Sequence, residues 1–114
     1  VEVEDVKDTF NLPENSVINQ DIQPAAGEVW QITLFAKITT GAGADSLNLY
    51  LITDDGSSEQ LDSSTGTNAQ VSTTAAGGTV TISNDCYLRI RLQTTTDAGT
   101  RTVTYWYQAQ KVSS

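Results

Sequence analysis

Histidine is absent from the 114-residue sequence, and cysteine occurs once, at Cys86. Without an imidazole there is no general base for a Ser or Cys nucleophile, and one thiol cannot assemble a His/Cys zinc set. No Gly-rich phosphate loop opens a helix. A carboxylate pair for glycoside hydrolysis is formally open, because any two of fourteen acids could converge. The expectation is a protein that is not an enzyme, with no catalytic, cofactor or metal residues. The lone cysteine cannot make an intrachain disulfide, so packing and hydrogen bonds must hold the fold. Basic residues are scarce too: six Lys and Arg against fourteen Asp and Glu give a net charge of −8, which argues against a nucleic-acid partner. No run approaches the roughly 18 apolar residues that span a bilayer, and membrane insertion is not expected.

What is present is alternation. In Glu28 to Thr40, Trp30, Ile32, Leu34, Ala36 and Ile38 occupy every second position, with Gln31, Thr33, Lys37 and Thr39 between them. That is the period of a strand with one face buried, and the β-branched content favours a pleated surface. A strand of about eleven residues, roughly 36 Å long, is long for a small domain and belongs near the centre of its sheet.

Along the chain, residues 1–14 alternate weakly among acids and end at Pro13, as an extended arm or edge strand would. Residues 15–114 are expected to form a single β-sandwich domain. Asn15 to Gln23 holds Val17, Ile18 and Ile22, a second short strand, and Pro24 to Gly27 turns into the central one. Gly41 to Asp45 breaks that strand before Leu47, Leu49 and Leu51, most simply as an antiparallel hairpin, with a longer cross-sheet connection as the other option. Asp54-Asp55-Gly56 reads as a tight turn. Residues 57–79 are Ser-, Thr- and Gly-rich and predict two short strands and loops at sheet edges. Alternation returns at Val80 and Ile82, at Leu88, Ile90 and Leu92, and in Thr100 to Val112, with turns at Asn84-Asp85 and Asp97 to Gly99. Seven to nine strands and no credible helix predict an all-β, two-sheet antiparallel β-sandwich, jelly-roll-like, with an immunoglobulin-like topology as the alternative. The expected core is Trp30, Ile32, Leu34, Leu47, Leu49, Leu51, Leu88, Ile90 and Leu92.

Asp54, Asp55, Glu59 and Asp62 carry oxygens suited to Ca²⁺, but their spacing is not that of an EF-hand loop, and turn chemistry is the simpler reading. Cys86 is in phase with Leu88, Ile90 and Leu92, as a small buried hydrophobe would be. Charge is uneven: residues 1–62 hold twelve acids against two lysines, and residues 63–114 hold two acids against four bases. Such asymmetry can orient copies of a protein, or simply mark a solvated acidic face. The informative residues are aromatics out of phase with the core. Phe35 opposes the Trp30 set; Tyr50 and Ile52 oppose the leucines; and in Tyr105-Trp106-Tyr107 either the tryptophan or both tyrosines must face outward. Cover by the N-terminal arm, burial against another subunit, or a platform for sugar rings would each account for them. As an interface the candidates are Phe35, Tyr50 and Ile52 in one patch, with Arg89 and Arg91 meeting the acidic arm of a neighbour. As a glycan platform they are Tyr105, Trp106 and Tyr107.

Gln23-Pro24-Ala25-Ala26-Gly27-Glu28-Val29-Trp30, followed by an alternating strand, resembles a turn-strand signature of small β-sandwich virion surface proteins of tailed phages and archaeal viruses. Thr79 to Ile90, with its Asn84 between strands, is similar to the segment that precedes the last strand in those proteins. The likeness is specific only at these two places, and it marks a fold more than an activity. It implies a structural role at the virion surface as a decoration, turret or fibre component, a homo-oligomer such as a trimer or pentamer, and contact with other virion proteins such as the major capsid protein. A carbohydrate-binding or host-receptor attachment module, engaging a host-surface glycan, is the alternative.

Overall fold

The computed structural model describes residues 3–12, 17–40, 45–66, 69–94 and 101–113. Pro13, the Gly41–Ala44 break and the Asp97–Gly99 turn lie outside them. Nine strands are described: β1 (Val3–Leu12), β2 (Val17–Ile22), β3 (Val29–Thr40), β4 (Asp45–Ile52), β5 (Ser58–Thr65), β6 (Gln70–Ser72), β7 (Val80–Ser83), β8 (Tyr87–Thr94) and β9 (Arg101–Ser113), with a 3₁₀ turn at Thr73–Ala76. Alternating residues in β3 explain why this segment is a strand: Ile32, Leu34, Ala36 and Ile38 are buried, while Gln31, Thr33 and Phe35 are exposed.

The strands form two antiparallel sheets. One has the order β1-β9-β3, with β6 and β7 following each other along the far edge of β3; the other has the order β2-β8-β4-β5. β1 pairs with β9, β2 with β8, β3 with β7, and β4 with β5. The first half of the chain therefore runs antiparallel to the second, as one long hairpin, and that hairpin is rolled so that successive pairs alternate between sheets. This is the jelly roll. The connection from β3 to β4 crosses between sheets, so the simple β3-β4 hairpin expected from the Gly-rich break does not form. The tight turn expected at Asp54-Asp55-Gly56 does form, joining β4 to its antiparallel partner β5, and Gly56, at φ 85°, donates its N–H to the Thr53 carbonyl.

Ile32, Leu34, Ile38, Leu47, Leu49, Leu88, Ile90 and Leu92 are fully buried between the sheets. Val71, Ile82, Val103, Tyr105, Ala109 and Phe10 join them. Trp30 and Leu51, expected in the core, sit at its margin and are only partly buried; the β3-β9 register shifts between Val29 and Trp30. β1 is an edge strand, in register with β9 over ten residue pairs. Phe10 on β1 is 7% exposed and lies 6.2 Å from the Tyr105 ring.

One device keeps the far edge of β3 closed. β7 pairs with Val29 to Ile32 and β6 with Phe35 to Lys37, so neither reaches Thr33 and Leu34. The buried Thr73 of the 3₁₀ turn fills the gap: its Oγ1 accepts the Leu34 N–H at 3.0 Å and donates to the Gly78 carbonyl at 2.6 Å. A second tie spans the sheets, since Asp62 on β5 accepts the Ser72 N–H of β6 at 3.0 Å. Among the described residues no helix is long and apolar enough to cross a membrane.

Candidate functional site

The roll leaves two outer faces, and the register assigns each out-of-phase residue to one of them. On the five-stranded sheet, Lys7, Trp106 and Phe35 stand side by side on β1, β9 and β3. The rings of Phe35 and Trp106 are 5.4 Å apart and tilted by 42°. The Lys7 ammonium lies 5.7 Å from the Trp106 ring centre, within cation-π range. The neighbouring row is Asp5, Gln108 and Thr33, and the next holds Gln110, Gln31 and Thr81. Beyond the β3 edge, the hydroxyls of Thr33 and Thr79 are 3.4 Å apart. Two shallow depressions of about 340 and 220 Å³ meet at Thr33 and Gln108.

The YWY triplet is resolved by its phase. Tyr105 and Tyr107 follow Val103 and precede Ala109 on the inner face, so Trp106 alone points outward. Tyr105 is buried, its hydroxyl 3.4 Å from the Asp8 carboxylate. Burial, then the Asp8 charge, pushes its pKa up. Tyr107 packs on Trp30 with ring centres 6.5 Å apart. Tyr105 is thus committed to internal contacts, which corrects its assignment to a stacking platform, while the half-buried Tyr107 both packs on Trp30 and lines the depression beside Trp106.

The outer face of the four-stranded sheet carries the other candidates. Asp21, Arg89, Tyr50 and Gln60 form one row across β2, β8, β4 and β5, and Asn19, Arg91, Asn48 and Ser63 form the next. Arg89 donates to both oxygens of Asp21, at 2.7 and 3.2 Å, and lies over Tyr87 at 6.0 Å. The Asp21 hydrogen bond is the main cause of its raised pKa. The Nε–H of Arg91 is buried and meets no acceptor among the described residues. Phe35 therefore stands on the opposite side of the sandwich from Tyr50, Ile52, Arg89 and Arg91, and the single patch expected from the sequence does not form. Ile52 is also no exposed anchor. It is 7% exposed and lies outside the main core cluster.

The acidic turn is occupied by its own backbone. Asp55 accepts the Thr53 hydroxyl at 2.6 Å and the Ser57 N–H at 2.9 Å, and these bonds lower its pKa to about 2. Asp62 faces Ser63 and Ser72 instead. Among the described residues no group of three or more His, Cys, Asp or Glu side chains could hold a metal ion. Cys86 is only partly buried, at the turn between β7 and β8, rather than in the core as its phase suggested. Burial first, then the charges of Asp54 and Glu59, raises its thiol pKa, which keeps it protonated and a poor nucleophile.

The two segments that carry the resemblance meet in space. The Gln23 amide donates to the Asn84 carbonyl at 2.7 Å, Asn84 donates to the Pro24 carbonyl at 3.1 Å, and Val29–Ile32 pair with Val80–Ser83.

No protein-family model and no curated protein matches the sequence. Solved structures match the fold. A chain in the atomic structure of Sulfolobus Turreted Icosahedral Virus superposes with a TM-score of 0.58 at 13% identity, over 96% of this chain and 29% of that one. The SPBc2 prophage-derived protein YomS superposes with a TM-score of 0.50 at 12% identity, over 96% of both chains. The core of Drosophila NLP, described with pentamer formation and histone binding, has a TM-score of 0.46 at 8% identity, over 94% of this chain and 98% of that one. The present chain thus spans under a third of the viral chain it matches. At these identities the likeness is one of fold.

Proposed function

We propose that this chain is a non-enzymatic structural protein of a virion surface, a capsid decoration, turret or fibre component that works through contacts with copies of itself and with the capsid. The observation that carries this reading is the jelly-roll strand order of the described residues, together with the superposition of 96% of the chain on part of a chain in an icosahedral virus structure. Assembly contacts are assigned to the outer face of the four-stranded sheet. There Tyr50 and Tyr87 supply apolar area, and the Arg89-Asp21 fork and Arg91 supply direction. A closed homo-oligomer, trimer or pentamer, is the expected state, because repeating one heterologous contact gives a ring when its rotation closes.

Native mass spectrometry of the purified chain tests this. A defined oligomer that dissociates in Tyr50→Asp, with the circular dichroism spectrum unchanged, supports the reading. A strict monomer at high protein concentration, failing also to bind purified capsids, would overturn it.

A further inference from the structure

We propose that the outer face of the five-stranded sheet is a saccharide-binding surface, on which a neutral oligosaccharide lies along β9 with one pyranose ring against Trp106 and Phe35. The site uses none of the residues assigned to assembly, so it stands or falls independently of the virion reading.

The aromatic pair comes first. Phe35 is 37% exposed beside a half-exposed Trp106, and the 42° tilt between them makes a bent apolar plate. The C–H face of a pyranose matches such a plate, as apolar surface on one side of a ring that is otherwise polar. Hydroxyls around that ring then need donors and acceptors at once. The next rows provide both: Gln108, Gln110 and Gln31 each present an amide with two donors and an acceptor, and the Thr33 and Thr79 hydroxyls act either way. Asp5, exposed at the rim, accepts from paired hydroxyls. From Trp106 to Gln110 the strand runs about 14 Å, the reach of a short oligosaccharide rather than one ring.

Other occupants fit less well. A stable protein interface buries about 800 Å² per partner around an apolar centre, and this face has two aromatic rings among amides and hydroxyls. A phosphate or an acidic sugar would be drawn to the Lys7 ammonium over Trp106 but repelled by the neighbouring Asp5 carboxylate on a chain of net charge −8.

The test uses the whole purified chain, screened on a glycan array and then titrated with neutral gluco-, manno-, galacto- and xylo-oligosaccharides at millimolar concentration by ¹⁵N-¹H NMR. Shifts should cluster on β9, β3 and the near part of β1. Trp106→Ala should weaken binding about tenfold or more. Gln108→Ala, at an exposed site with no fold at stake, should weaken it about three- to tenfold. Native mass should be unchanged in both variants. Absence of binding to every oligosaccharide overturns the proposal, as does binding that survives in folded Gln108→Ala and Trp106→Ala. A fall in native mass for Trp106→Ala would make this face a subunit contact, which also overturns it.

Discussion

Replacing Thr73 with valine keeps the size and branching of a buried side chain and removes only its hydroxyl. Two backbone groups depend on that hydroxyl, the Leu34 N–H at 3.0 Å and the Gly78 carbonyl at 2.6 Å. The Leu34 bond is buried, so its N–H would lose its partner without gaining water, at about 1–3 kcal/mol. The Gly78 carbonyl is half-exposed and can rehydrate, so its loss adds less. The total is about 2–4 kcal/mol, a fall in Tm of roughly 4 °C per kcal/mol for a chain of this size. Thr73→Ser retains both bonds and loses one methyl, about 1 kcal/mol. Urea denaturation of the wild type and the two variants, followed by tryptophan fluorescence, separates the terms. If serine proved more damaging than valine, methyl packing rather than the hydroxyl would be what closes the β3 edge, and the reasoning would fail.

Leu34→Ala should cost about 2–5 kcal/mol, whereas Thr33→Ala, on the opposite face of the same strand, should cost below about 0.5 kcal/mol; equal losses in urea would undo the face assignment. The pKa of Asp55 is lowered to about 2 from 3.8, chiefly by the Thr53 hydroxyl and then the Ser57 N–H. A carboxylate with a depressed folded-state value adds stability above its unfolded value and loses it as pH falls. The wild type should therefore exceed Asp55→Ala in stability at neutral pH, and the gap should narrow between about pH 4 and 2; a constant gap would assign the effect to something other than the charged form. Removing residues 1–12 takes away the ten-pair ladder with β9 and the Phe10 contact with Tyr105. The outcome should be unfolding or aggregation through the bared β9 edge, and a soluble truncated chain with native near-UV dichroism would contradict it.

Faces were legible in the sequence because side-chain period is a local property of a strand. Ile32, Leu34, Leu88 and Ile90 fall where alternation puts them. Partners were not legible, because the same alternation is written whether β3 turns into a hairpin with β4 or crosses to the other sheet. That is why Phe35 and Tyr50 are recognisable as outward residues while their separation onto opposite sheets is not. The YWY triplet did carry its own answer: Val103 and Ala109 share the phase of the two tyrosines, leaving Trp106 as the outward residue. Ile52 escapes any pattern, since its phase opposes Leu49 and yet it is buried outside the main cluster. Thr73 carries no sequence signal either. Its role arises only from the gap between β6 and β7, a long-range property of register.

The lopsided charge of the sequence has a different meaning once the roll is known. Acids concentrate in the first half of the chain and bases in the second, but the jelly roll lays one half against the other, strand by strand. Asp21 on β2 thereby meets Arg89 on β8, and Glu28 meets Lys111 on β9 at 3.4 Å. Asymmetry along the chain becomes pairing across it, and it favours the rolled hairpin over registers that would set like charges side by side. The energy involved is small, because the Asp21 and Arg89 side chains are each about a third exposed, and water and salt screen such a pair to roughly 1 kcal/mol or less. A double-mutant cycle reads it directly. Asp21→Arg and Arg89→Asp should each destabilise by placing like charges in register, and the double reversal should recover most of the loss at low salt and show little coupling at high salt. Additive losses at low salt would mean that the fork does not couple β2 to β8, and that the charge pattern of the sequence plays no part in choosing this fold.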